Sequence, residues 1–137
     1  MDGADLYLTE QDRFIPDMMV VCDQAKIQDD GVHGAPDLVV EVLSSSTARR
    51  DRGCKKDTYE RCGVREYWLV NPADKSVEVY RGEDGVFVFH DLYTVYPDWM
   101  LERMSGEERA RIVTHFQCSL FDDLDISLND IFSDLLP

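Results

Sequence analysis

Asp17, Asp37, Glu41 and Lys55 are the residues whose types and spacing could do chemistry in this 137-residue chain. Glu41 interrupts Leu38–Leu43, a run apolar on both faces of a strand, which predicts a strand covered on both sides. A lone carboxylate buried there is costly unless a cation, a metal or a hydrogen-bond donor offsets it. Asp37 shares the strand face of Glu41 but lies about 13 Å away along an extended chain, so the two cannot ligate one ion directly. Asp17 can. If its segment pairs with 38–43, Asp17 and Glu41 meet side by side, and two converging acids repel unless a divalent cation sits between them. Hard oxygen ligands suit Mg²⁺ or Mn²⁺. Lys55 belongs to the following helix, where Lys55, Tyr59 and Cys62 fall at i, i+4 and i+7 on one face. Burial of Tyr59 and Cys62 against the sheet would aim Lys55 at the two carboxylates, while Lys56, about 100° round the helix, faces solvent. An ammonium so placed could stabilise charge developing on a phosphate. A buried structural Glu41–Lys55 ion pair satisfies the same pattern, and Asp37, which follows Pro36, also fits a turn or cap.

The elements that must position these side chains are legible around them. Residues 36–71 read as strand, polar loop, helix and strand. The helix runs from about Ala48 or Asp51 to Cys62, with hydroxyls in Ser44–Thr47 available as caps and Gly63 as its stop. Glu66–Val70 is the second strand, and its Tyr67 and Trp68 fit a core or an interface, the alternative being a platform for stacked bases. Upstream, Asp5–Thr9 is a short strand and Phe14–Cys22 a longer one, with Pro16 marking a strand entrance or bulge. The loop 23–35 is turn-rich. Downstream, Val77–Tyr80 and Val86–Phe89 form a hairpin around Gly82–Gly85. Residues 91–104 are aromatic and irregular. Ser105-Gly106-Glu107-Glu108 is a capping box opening a helix to about Phe116, and a short helix is expected over 129–135. His33, His90 and His115 have no spaced partners and read as structural or exposed.

The length suits one domain with a real core. No segment has the roughly 18 apolar residues needed to cross a bilayer, and the acidic start does not resemble a signal peptide. Cys22, Cys54, Cys62 and Cys118 show no metal-ligand spacing, and Cys54 and Cys62 would lie about 12 Å apart on a helix, too far to bridge. A reduced, cytoplasmic protein is the expectation. The net charge of −14 argues against a general nucleic-acid-coating protein. Yet residues 49–66 hold seven basic and four acidic side chains, a local +3 that leaves −17 for the remainder. The run is either a solvated helix face or the place where a nucleic acid approaches.

The motifs PDLVVEVLS (36–44), STARRDRGCKK (46–56), Tyr59 and GVREYWLVNP (63–72) resemble the Uma-two family of putative restriction endonucleases. PDMMVV (16–21) and LFDDLDISLNDIF (120–132) extend the likeness across most of the chain. That family is assigned to the PD-(D/E)XK nuclease superfamily. The resemblance implies an α/β (α+β) restriction-endonuclease-like fold in a single domain over 1–137: a mixed central sheet flanked by helices, with a C-terminal β-hairpin and short helices. It implies Mg²⁺- or Mn²⁺-dependent hydrolysis of DNA phosphodiester bonds. Carried over, Asp17 is the motif aspartate, Glu41 the motif acid, and the Val42 carbonyl a further metal ligand. Leu43 occupies the usual lysine position, and Lys55 matches the family's lysine on the helix. Asp37 and Tyr59 are additional candidates, and Arg49, Arg50 and Arg52 would contact backbone phosphates. Ser45 and Asn71 stand where Pro and Asp are usual. Family members carry a further N-terminal stretch with a helix over the sheet, whereas this chain starts at the first hairpin. Exposed apolar sheet and a homodimer or higher assembly are therefore expected. The alternatives are a non-catalytic interaction module, a degenerate fragment retaining the fold, or a nuclease acting on RNA or a structured nucleic acid.

Overall fold

A computed structural model of the chain describes residues 3–121 and 124–133. In chain order its strands are β1 (Leu6–Tyr7), β2 (Arg13–Phe14), β3 (Met18–Val20), β4 (Ile27–Gln28), β5 (Gly31–His33), β6 (Leu38–Val42), β7 (Glu66–Asn71), β8 (Ser76–Glu83), β9 (Val86–Thr94), β10 (His115–Gln117) and β11 (Asp125–Ser127). The helices are α1 (Ala48–Arg52), α2 (Cys54–Arg61), α3 (Asp98–Arg103), α4 (Gly106–Ala110) and α5 (Leu128–Ser133). The main sheet has the order β3-β6-β7-β8-β9, a second sheet is β2-β1-β5-β4, and β10 pairs with β11. Only β6 and β7 run parallel within the main sheet. Parallel neighbours need a crossover, and α1 and α2 supply it. The architecture is the mixed α+β sheet with flanking helices expected above.

Both faces of the main sheet are covered, which is why β6 and β7 carry apolar residues without alternation. One face sets Val39, Leu43, Tyr67 and Leu69 against Tyr59 of α2 and Leu6 and Val32 of the second sheet. The other packs Leu38, Val40, Trp68, Val77 and Val79 on Tyr93, Phe116, Leu128 and Phe132. On that second face Glu66 is fully buried. It accepts from Trp68 Nε1 at 2.8 Å, Arg81 Nε at 3.1 Å, Cys118 Sγ at 3.4 Å and Ser119 Oγ. This clamp ties residues 118–119 to the sheet. No buried side-chain polar atom among the described residues lacks a partner, as the cost of desolvation demands.

Several elements depart from expectation. The segment 14–22 is two strands, not one: β2 joins the second sheet, and Pro16, which has no N–H to give a ladder, leads the chain across to β3 in the main sheet. The turn-rich loop contains β4 and β5, with β5 parallel to β1. Thr47 makes no side-chain cap to α1; its hydroxyl accepts from Ser44 N–H instead. The hairpin is longer than read, turning on Asp84 (φ 53°) and Gly85 (φ 81°) in the mirror-image turn that suits strand twist. The capping box forms in both directions between Ser105 and Glu108, yet α4 ends at Ala110. Ile112, Val113 and Thr114 are β-branched and disfavour helix, and Phe116 is drawn into the core, stacked on Tyr93 at 4.4 Å. Residues 122–123 of the terminal motif and 134–135 of the expected terminal helix lie outside the described residues.

The predicted central helix is interrupted at Gly53. A Cβ there would lie 2.9 Å from the Arg49 carbonyl oxygen, a backbone atom that cannot swing aside. Gly53→Ala should therefore lower stability by about 1–3 kcal/mol through local overpacking, read as a lower urea midpoint.

Candidate active site

Glu41 points to the helix-covered face because it alternates with Val40 and Val42, and it is 1% exposed. Its carboxylate is held from two sides. Oε1 accepts the Asp17 backbone N–H at 3.0 Å; Oε2 meets the Lys55 ammonium and accepts from the Tyr59 hydroxyl at 3.4 Å. Asp17 answers across the strands: its Oδ2 accepts the Val42 N–H at 2.7 Å. The ladder between β3 and β6 thus ends in a reciprocal exchange, each acid capping a backbone N–H on the opposite strand. The register that pairs Met18 with Val40 sets Asp17 beside Glu41, as anticipated.

Lys55 reaches the site from α2 along the predicted face and is 13% exposed. Its second carboxylate is Asp51 rather than Asp17, with Nζ 3.3 Å from Asp51 Oδ1. Asp51 is 3% exposed and is the site residue that sequence reasoning missed. Its signal was the spacing 51, 55, 59, which continues the buried face one turn upstream. The Tyr67 hydroxyl, from β7, donates to the Asp51 carbonyl at 2.8 Å and holds this turn on the sheet. Phe14 of β2 roofs the cluster: Lys55 Nζ lies 5.6 Å and Arg50 Cζ 5.8 Å from its ring centre.

Burial pushes the Glu41 carboxyl above the ordinary glutamate range, and the Lys55 and Asp17 N–H contacts only partly oppose it. Burial, then the neighbouring Glu41 charge, drives the Tyr59 hydroxyl well up, so it stays a donor. A carboxyl raised on folding stabilises the native state below its unfolded value, and that contribution is lost as pH rises through the folded value. Wild type should therefore lose stability relative to Glu41→Gln as pH rises from the ordinary glutamate range toward neutrality. Parallel denaturation midpoints of the two proteins over that range would test it; a difference that does not change with pH would contradict it.

Other candidates stand apart. Asp37 precedes the far end of β6, where it accepts the Cys22 N–H at 2.7 Å and lies 3.5 Å from Arg65. Burial would raise its carboxyl, but the Cys22 contacts and Arg65 outweigh this and hold it low. Arg49 and Arg50 are exposed. Arg52 is tied to Glu78 at 2.7 Å. Lys56 does not face solvent freely: its Nζ lies 4.2 Å over the Tyr80 ring, whose hydroxyl is pushed up to about 12 by burial and a bond to Glu78. Tyr67 and Trp68 are both core. His33 contacts Asp30 and His115 contacts Asp125; neither joins the cluster.

Among the described residues, no three His, Cys, Asp or Glu side chains converge to hold a metal ion by themselves. The donor set nevertheless suits a hard divalent cation: Asp17 is exposed, Glu41 is adjacent, and both present carboxylate oxygens. A cation here would have to share Glu41 with Lys55. No helix among the described residues is long and apolar enough to cross a membrane, which says nothing of membrane β-barrels.

A family model described as Uma2, "Putative restriction endonuclease", matches residues 2–104. No curated protein matches the chain. The fold is similar to the crystal structure of a "putative nuclease belonging to DUF820" from Anabaena variabilis ATCC 29413, with a TM-score of 0.66 at 20% identity, covering 99% of this chain and 68% of that one.

Proposed function

The chain belongs to the Uma2 putative restriction endonuclease family, and from that membership we propose that it is a Mg²⁺- or Mn²⁺-dependent endonuclease hydrolysing phosphodiester bonds in DNA. The observation that carries this is a buried Glu41 touching Lys55, with Asp17 beside it at the start of the neighbouring strand. Asp17 and Glu41 would hold the ion, with the Val42 carbonyl as a further ligand. Such an ion, when bound, polarises a phosphate and lowers the pKa of an attacking water. Lys55 neutralises charge developing on the phosphoryl oxygens. Tyr59 orients the Glu41 carboxylate. The exposed Arg49 and Arg50 contact backbone phosphates, and Arg52 joins them on release from Glu78.

The test is nicking of supercoiled plasmid by purified protein with Mg²⁺ or Mn²⁺, and none in EDTA. The rival is a non-catalytic module that keeps the fold, favoured by one observation: both Glu41 oxygens already have protein donors. Calorimetric titration separates them. Mn²⁺ binding that requires Glu41 supports the enzyme, and no binding supports the rival. A homodimer or higher assembly in the cytoplasm completes the proposal. It is supported by Val86, Val88, Phe89 and Leu92 exposed on the edge strand β9 and by four free cysteines.

A further inference from the structure

Resting on that metal-dependent reading, we propose that Asp51 is a positioning residue: it retains the Lys55 ammonium when Glu41 turns to an ion, so the ammonium stays beside the reacting phosphate. Lys55 already meets both acids, Glu41 by direct contact and Asp51 at 3.3 Å. Passing from one to the other needs only a small shift of its terminal carbons. The Tyr67 hydroxyl anchors the Asp51 backbone from the sheet, so the acceptor holds its place while the ammonium moves.

Charge balance argues the same way. Glu41 and Asp51, nearly inaccessible to water, share one ammonium, so this trio is short of positive charge. Buried charge in excess of its partners is costly. With Asp17 included, the four groups sum to −2 when ionised, which a divalent cation neutralises. Without the Asp51 carboxylate, the same ion would leave the group at +1, and Lys55 would have only Glu41 as partner, in direct competition with the ion. Asp51 therefore separates two cations that would otherwise repel across a few ångströms. It is not itself assigned as a ligand.

The experiment compares wild type, Asp51→Asn and Asp51→Glu by Mn²⁺ calorimetry, metal-free thermal unfolding and plasmid cleavage. The expected result for Asp51→Asn is Mn²⁺ binding weakened about tenfold or more. Its kcat should fall with KM for DNA unchanged, and its metal-free stability should stay near wild type. Asp51→Glu, which keeps the charge on the same face, should recover most of the affinity. If Asp51→Asn unfolds, Asp51→Ser is read in the same way. Mn²⁺ affinity and kcat equal to wild type in the neutral variant, whatever its melting temperature, would overturn the proposal and leave Asp51 a structural residue. Absence of Mn²⁺ binding in wild type would instead remove the metal-dependent reading on which it rests.

Discussion

Glu41→Ala is expected to reduce metal-dependent nicking of plasmid DNA by more than about a hundredfold while the protein remains folded. The loss should be this large because Glu41 is the point where three elements meet. From β6 it takes the Asp17 N–H that immediately precedes β3, and the Lys55 ammonium and Tyr59 hydroxyl of α2. Losing even a residue that only supports a metal ligand costs about 10–100-fold, and Glu41 is argued to be the ligand itself. The fold should survive because Lys55 keeps Asp51 as a partner and the cores on either face do not depend on the carboxylate. Glu41→Gln, nearly isosteric, should be as inactive, which separates lost charge from lost packing. Cleavage at the wild-type rate by either variant would remove Glu41 from the chemistry.

Lys55→Met should be the most damaging change to stability, lowering it by about 3–5 kcal/mol. The methionine fills much of the same volume, but Glu41 and Asp51 are left facing each other with no cation, each almost wholly buried. Surface ion pairs contribute little because water screens them; Lys55 is 13% exposed, so little screening is available. Urea unfolding would measure the loss. Mn²⁺ should then stabilise Lys55→Met more than wild type, because an ion bound to the native state shifts the folding equilibrium and meets no competing ammonium. A midpoint equal to wild type would show that the Lys55 contacts with the two acids do not stabilise the fold.

The likeness between expectation and structure is uneven for a physical reason. Strands β6 and β7 were legible because long apolar runs lying under cover on both faces leave an unambiguous pattern. The hairpin was legible through the alternation of 77–80 and 86–89 around Gly82–Gly85. The second sheet was legible only in part: β1 falls within the expected strand 5–9, whereas β4 and β5 are two or three residues long, shorter than any periodicity can register. The helix read beyond Ala110 failed because a correct capping box specifies where a helix starts, whereas Phe116 and the pairing of β10 with β11 decide where it stops. Glu66 was counted as one more charge in a basic run. Its burial depends on Arg81 and Ser119, which lie far along the chain.

The amino-acid sequence alone determined that an acid would sit inside a covered strand, and that Lys55 and Tyr59 would share the helix face turned toward it. Both follow from the periods of strand and helix, which operate over a few residues. Tertiary structure alone decided that Asp51, not Asp17, shares the ammonium, and that Asp17 instead caps the Val42 N–H. Those choices balance desolvation against contacts of a few ångströms, and such distances exist only once β3, β6 and the crossover helices have packed together.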